Sequence, residues 1–205
     1  MGEERRLVVA VGLTGGIGAG KSTALRLFGD LGARTLSADA LVHGLYEQPA
    51  VSSRIAAHFG PEVLDGRGAV DRARLGRLVL GRPGELRWLE ELTHPLVAGE
   101  IRRRLETAPE GSIVVCEVPL LFEAGYESLF DVIVTVEADA ASRRSRSTHG
   151  FGLEQFGELE GLQASTERRV AGSHLSFFND GNPDELRVFV RKAYDRALEL
   201  LRERG

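Results

Sequence analysis

Four glycines, Gly15, Gly16, Gly18 and Gly20, lead into Lys21, Ser22 and Thr23 within the stretch GLTGGIGAGKST at residues 12–23. From Gly15 to Ser22 the spacing is G-x-x-x-x-G-K-S, passing through Ile17 and Ala19. Glycine is disfavoured in strands and helices alike, so such a cluster marks backbone that must approach something closely. Consecutive N–H groups and the positive end of a following helix would cradle a di- or triphosphate there. Lys21 would neutralise its β- and γ-oxygens, and Ser22 would ligate Mg2+.

A chain that moves a phosphoryl group also needs an acceptor, a carboxylate near it and cations that follow the charge. Asp39, in TLSADALVH, is expected to end the second strand, at the sheet edge where open α/β folds place ligands. There it would orient an acceptor hydroxyl or take its proton; the competing role is to cap the following helix. Glu117 ends the third strand, where a carboxylate either holds Mg2+ through water or is simply buried. Arg143, Arg144 and Arg146 could aim guanidinium forks at phosphate or form a solvated helix face. His94-Pro95 fits either a helix-start turn or a ligand contact. An Asn-Lys-x-Asp string for guanine is absent, which disfavours a regulatory GTPase.

Positioning these groups calls for a sheet with helices on both faces. Apolar β-rich runs do alternate with helical patterns along the 205 residues, the order a parallel α/β sheet demands. Strands are expected at 7–13, 33–38, 112–118, 132–138 and 175–179, making a doubly wound, five-stranded parallel sheet. One helical face carries Ala24, Leu27, Phe28 and Leu31; another carries Leu186, Phe189, Val190, Ala193, Ala197 and Leu200, starting at Asn182-Pro183-Asp184. About seventy mostly helical residues, 39–108, separate the second and third strands; no crossover needs so many, so a substrate-binding subdomain is expected. Residues 142–173, polar, arginine-rich and poorly periodic, are expected to form a mobile lid. That leaves 7–38, 109–141 and 174–205 as the core of a single domain over 1–205.

Composition narrows the partners. With 26 Lys and Arg against 30 Asp and Glu, net charge −4, there is no global basic field to recruit nucleic acid. The apolar segment near the N-terminus is too short to span a bilayer and lacks a cleavage site, so a cytoplasmic protein without a membrane partner is expected. The single Cys116, within SIVVCEVPLL, cannot make an internal disulfide and reads as a buried strand residue rather than a nucleophile.

LTGGIGAGKS at 13–22, the aspartate of SADA, Thr93-His94-Pro95-Leu96, Val118-Pro119-Leu120-Leu121-Phe122-Glu123, and Asn179-Asp180-Gly181 before a C-terminal helix follow one another in order. This series resembles the dephospho-CoA kinase family over nearly the whole chain. The resemblance implies a P-loop kinase core with a helical CoA-binding subdomain and a lid, and ATP and Mg2+ as cofactors. The implied reaction transfers the ATP γ-phosphate to the ribose 3′-hydroxyl of 3′-dephospho-CoA. It implies Asp39 as the catalytic carboxylate, Lys21 and Ser22 as ATP·Mg2+ residues and Arg144 as a lid arginine. His94, Pro119, Leu120, Leu121 and Glu123 would lie at the acceptor pocket, and Asn179 and Gly181 near the adenine. Three departures accompany it: Ser37 replaces a common first aspartate, Thr148-His149 replaces an Arg-Asp pair in the lid, and residues 174–179 replace an aspartate-rich strand. These keep two other readings in view, a nucleotide- and CoA-binding protein without turnover and a kinase for another small-molecule or nucleoside acceptor. The VPLLFE and HPL elements favour dephospho-CoA.

Overall fold

The computed structural model describes residues 7–147 and 153–205, so Thr148-His149 lies outside the described residues. The sheet contains β1 (Val8–Thr14), β2 (Arg34–Ser37), β3 (Ser112–Glu117), β4 (Val132–Glu137) and β5 (Leu175–Phe178), in the order β2-β3-β1-β4-β5. Every pairing is parallel. β1 and β4 are buried at every position, as strands covered on both faces must be, whereas the edge strands β2 and β5 are shorter and partly exposed. The five expected strands are all present, with ends moved by a residue or so.

The helices in chain order are α1 (Lys21–Asp30), α2 (Ala38–Tyr46), α3 (Pro49–Phe59), α4 (Arg72–Val79), α5 (Pro83–Glu106), α6 (Ala140–Ser147), α7 (Leu153–Gly161), α8 (Thr166–Ala171) and α9 (Pro183–Arg204). Ala24 and Phe28 of α1 and Leu186, Phe189, Val190, Ala193 and Ala197 of α9 bury their apolar faces with Val9, Val11, Leu13, Val115, Val132 and Val134 of the sheet. Asn182 caps α9 by accepting the Asp184 N–H at 2.9 Å, with Pro183 in the first turn, where its missing N–H costs nothing.

Two compact units divide the chain, one built on the sheet up to Ser37 and again from Ile101, the other Ala38–Glu100. The helical insertion is therefore shorter than the expected 39–108, because the C-terminal end of α5, with Ile101 and Leu105 buried, belongs to the sheet unit. The second unit has its own core of Tyr46, Val51, Ile55, Val63, Leu75, Leu89 and Leu92. His58 stacks on Trp88 at 3.9 Å between ring centroids and pairs with Glu85 at 2.6 Å.

One of the two alternatives for His94-Pro95 is excluded. His94-Pro95 is not a helix start: Pro95 lies inside the 24-residue α5. A proline there forfeits one helical hydrogen bond, but burial of Leu92, Val97 and Ala98 holds the helix through it. The poorly periodic stretch 142–173 contributes most of α6 and the whole of α7 and α8. Among the described residues no helix is long and apolar enough to cross a membrane.

Candidate phosphate-binding site

β1 hands over to α1 through a loop in which Gly15, Gly18 and Gly20 have φ of 143°, 76° and 108°. L-residues rarely adopt such values, and a Cβ on Gly15 would run into the backbone carbonyl of Val136. Because α1 begins at Lys21, the N–H groups of its first turn have no acceptor within the helix and the positive end of its dipole faces the loop. The loop folds onto its own lysine: Lys21 is 8% exposed, and Nζ donates to the carbonyls of Gly15 at 3.0 Å and Gly16 at 2.9 Å.

Strand register places Glu117 opposite Leu13 on one side and Ser37 on the other. From there its Oε1 accepts the Ser22 hydroxyl at 3.3 Å. A hydroxyl and a carboxylate oxygen at this spacing are hard donors that suit Mg2+. No cluster of three or more His, Cys, Asp or Glu that could hold a metal ion occurs among the described residues.

The other side of the loop is braced by residues from β4 onward. Asn179 Nδ2 donates to the Ala19 carbonyl at 2.8 Å, and the Asn179 carbonyl accepts from Arg146 Nη2 at 2.9 Å. Arg143 is 8% exposed, and its Nε and Nη2 donate to the Ala138 carbonyl at 3.1 Å and to Glu160 at 2.6 Å. It is not part of a solvated face but a buried tie between α6 and α7, and its Nη1 would lie 3.1 Å from a Cβ on Gly16. Glu137, at the end of β4 and 0% exposed, accepts from Arg169 Nε at 2.5 Å and Nη2 at 2.9 Å, a buried bidentate pair. Gln163 accepts the Ile17 N–H at 2.9 Å and donates to the carbonyls of Gly15 at 3.3 Å and Pro119 at 3.1 Å.

The remaining expected residues fall on several elements. Pro119 and Leu120 are half-buried, but Leu121 is 0% exposed, with Cδ1 packed over Gly12, so it supports the site from within the core instead of lining an acceptor pocket. Glu123 Oε1 accepts the Ala164 N–H, which commits one of its oxygens to the backbone just before α8. Asp39 does not end β2; it is exposed in the first turn of α2, two residues beyond the strand, in the Ala38–Glu100 unit. His94 belongs to the same unit but is half-buried within α5. Arg144, Thr23 and Gly181 are exposed. Burial first, and then the charge of Glu117, pushes the Cys116 thiol up to about 12, which leaves it protonated and inert at neutral pH.

Gln163, Glu137 and Arg169 were not singled out from the sequence. A glutamate closing the otherwise apolar VIVTVE run was a visible signal, because a charge is buried in a strand only with a partner. Gln163 sits in a polar stretch without periodicity and carried no such signal.

A model of the dephospho-CoA kinase family matches residues 9–185. A dephospho-CoA kinase of Thermobifida fusca is 35% identical over 201 residues, covering 96% of this chain and 100% of the relative. A crystal structure of a Thermus thermophilus protein superposes with a TM-score of 0.79 at 30% identity, covering 92% of this chain and 96% of that one. A dephospho-CoA kinase from Campylobacter jejuni shares the fold, with a TM-score of 0.64 at 21% identity, covering 93% and 98%. By sequence over nearly its full length and by the architecture of its phosphate loop, this chain belongs to the dephospho-CoA kinase family, transferases that use ATP and a hydroxyl acceptor.

Proposed function

We propose that the chain transfers the γ-phosphoryl group of ATP to the ribose 3′-hydroxyl of 3′-dephospho-CoA, giving coenzyme A and ADP. The observation that carries this reading is family membership over residues 9–185 in a chain whose phosphate loop has its glycine conformations, lysine and serine in place. The loop from Gly15 to Ser22 receives the phosphates, and Lys21 leaves the carbonyls of Gly15 and Gly16 to pair with the β- and γ-oxygens. Ser22 and Glu117 would hold Mg2+, which would neutralise charge on the phosphates.

Asp39 orients the 3′-hydroxyl and takes its proton as the hydroxyl oxygen bonds to the γ-phosphorus. The bond from that phosphorus to the β–γ bridging oxygen breaks, and its electron pair leaves with ADP. An exposed carboxylate just past a strand of a parallel sheet supports this role. Arg144 supplies positive charge to the moving group, His94, Pro119 and Leu120 contact the acceptor, and Asn179 and Gly181 lie toward the adenine. A cytoplasmic location and the absence of a nucleic-acid partner belong to the same reading, in keeping with the net charge of −4.

ADP release with Mg·ATP, measured with and without 3′-dephospho-CoA, tests it. The rate should depend on the acceptor and should fall on the order of 10²–10⁴-fold in Asp39→Asn, while ATP binding persists. A variant at full rate would remove Asp39 from the mechanism. The absence of any acceptor-dependent rate in the natural protein, despite ATP binding, would point to another acceptor, sought among nucleosides, or to a binding protein.

A further inference from the structure

The Gly15 carbonyl has two donors. Lys21 Nζ reaches it at 3.0 Å and Gln163 Nε2 at 3.3 Å. Only one of these is free to stay: the charge of Lys21 must turn toward phosphate oxygens when a nucleotide enters, whereas the primary amide of Gln163 carries no charge to follow. A buried carbonyl left without a donor at that moment would oppose binding, because desolvating an unpaired polar group is costly. Gln163 also accepts the Ile17 N–H at 2.9 Å, so it grips the loop on both sides of Gly16, and its remaining donor contact runs to the Pro119 carbonyl at 3.1 Å. One side chain thus links the front of the phosphate loop to the start of the segment after β3.

Its own placement is rigid. Glu160 pairs with the buried Arg143 at 2.6 Å, the Ala164 N–H donates to Glu123, and the Ala164 carbonyl accepts from Arg169, so the backbone on both sides of Gln163 is tied down. Three interactions converge on an amide, and a carboxylate of the same shape could make only the one with Ile17, since it has no N–H to donate.

We propose that Gln163 is a positioning residue for nucleotide binding: it holds the loop from Gly15 to Ile17 in register with Pro119 and keeps the Gly15 carbonyl bonded when Lys21 turns to the phosphates. This deepens the kinase reading and rests on it for its place in turnover, but its first consequence concerns nucleotide affinity alone.

The test uses the full chain and Mg·ADP as the probe, with the natural protein, Gln163→Met and Gln163→Glu compared by calorimetry and by thermal melting. Gln163→Met should bind Mg·ADP about tenfold more weakly, and Gln163→Glu more weakly still, since it loses both donors and adds negative charge beside the phosphates. In the acceptor-dependent assay the KM for ATP should rise by a similar factor, with a smaller change in the KM for 3′-dephospho-CoA. Both variants binding Mg·ADP like the natural protein, with only a lowered melting temperature, would overturn the proposal and make Gln163 a plain structural tether. If the natural protein binds Mg·ADP but shows no rate with 3′-dephospho-CoA, the kinase reading fails, and the ADP affinities of the variants still decide the role of Gln163.

Discussion

Replacing Arg169 tests how firmly the region after β4 is bound to the sheet. Glu137 is 0% exposed and Arg169 3%, and their two-pronged contact at 2.5 and 2.9 Å is closed to water. Arg169→Met removes the charge but keeps most of the volume, leaving the Glu137 carboxylate with the Thr166 hydroxyl at 3.4 Å as its remaining side-chain donor. Breaking one side of a buried pair costs about 3–5 kcal/mol, because the surviving charge stays desolvated without a partner. At about 2–4 °C per kcal/mol for a chain of this size, the melting temperature should drop by about 6–20 °C. The double variant Glu137→Leu with Arg169→Met gives the sharper result. It removes both charges and should recover a large part of the loss, short of full recovery because the Ala164 carbonyl has also lost its donor. Urea unfolding of the natural protein, both single variants and the double variant measures the coupling. A single-variant loss under about 1 kcal/mol, or a double-variant loss equal to the sum of the singles, would refute the view that this pair anchors the region.

Gly15→Ala should lower both melting temperature and Mg·ADP affinity: φ of 143° costs a side chain on the order of 1–3 kcal/mol, and the added Cβ meets the immovable carbonyl of Val136 in a hydrogen-bonded strand. Gly99→Ala, in open space on α5, should leave melting unchanged or raise it, and equal melting of the two variants would contradict the geometric argument. Cys116, held protonated up to about 12 by burial, should react with a thiol reagent at pH 8 only as fast as the chain unfolds. Because its folded pKa lies above the unfolded value, the stability it contributes is fully present below about pH 8.5 and falls as pH rises, by at most about 1.4 kcal/mol per unit. Cys116→Ala should flatten the pH dependence of the urea midpoint between pH 9 and 11; native labelling as fast as that of the unfolded chain would sink the assignment.

How much of this was legible in advance follows from the range of the interactions concerned. The phosphate loop could be read from one short stretch, because its chemistry is that of consecutive backbone groups, and only glycine at Gly15, Gly18 and Gly20 permits the required φ. The strands were legible for a similar reason, since a parallel sheet buried on both faces demands predominantly apolar runs such as those within Val8–Thr14 and Val132–Glu137. The element that carries Asp39 was misread, because the boundary between strand and helix at Ser37 left no mark in residue type. His94-Pro95 suggested an interruption where α5 continues, since packing around Leu92 and Val97 outweighs one missing hydrogen bond.

What only the tertiary structure decided is the company each polar side chain keeps. Arg143, Arg144 and Arg146 are near neighbours in sequence, yet the first is buried against Ala138 and Glu160, the second is exposed, and the third reaches the carbonyl of Asn179. Glu137 finds Arg169 and Gln163 finds Ile17 across more than thirty and more than a hundred residues, pairings that no local periodicity encodes. Sequence by itself determined where a phosphate could be held, because that needs only neighbouring backbone. The braces that hold the loop in shape are set by the folding of distant segments onto one sheet edge, where burial forces every charge and amide to find a partner.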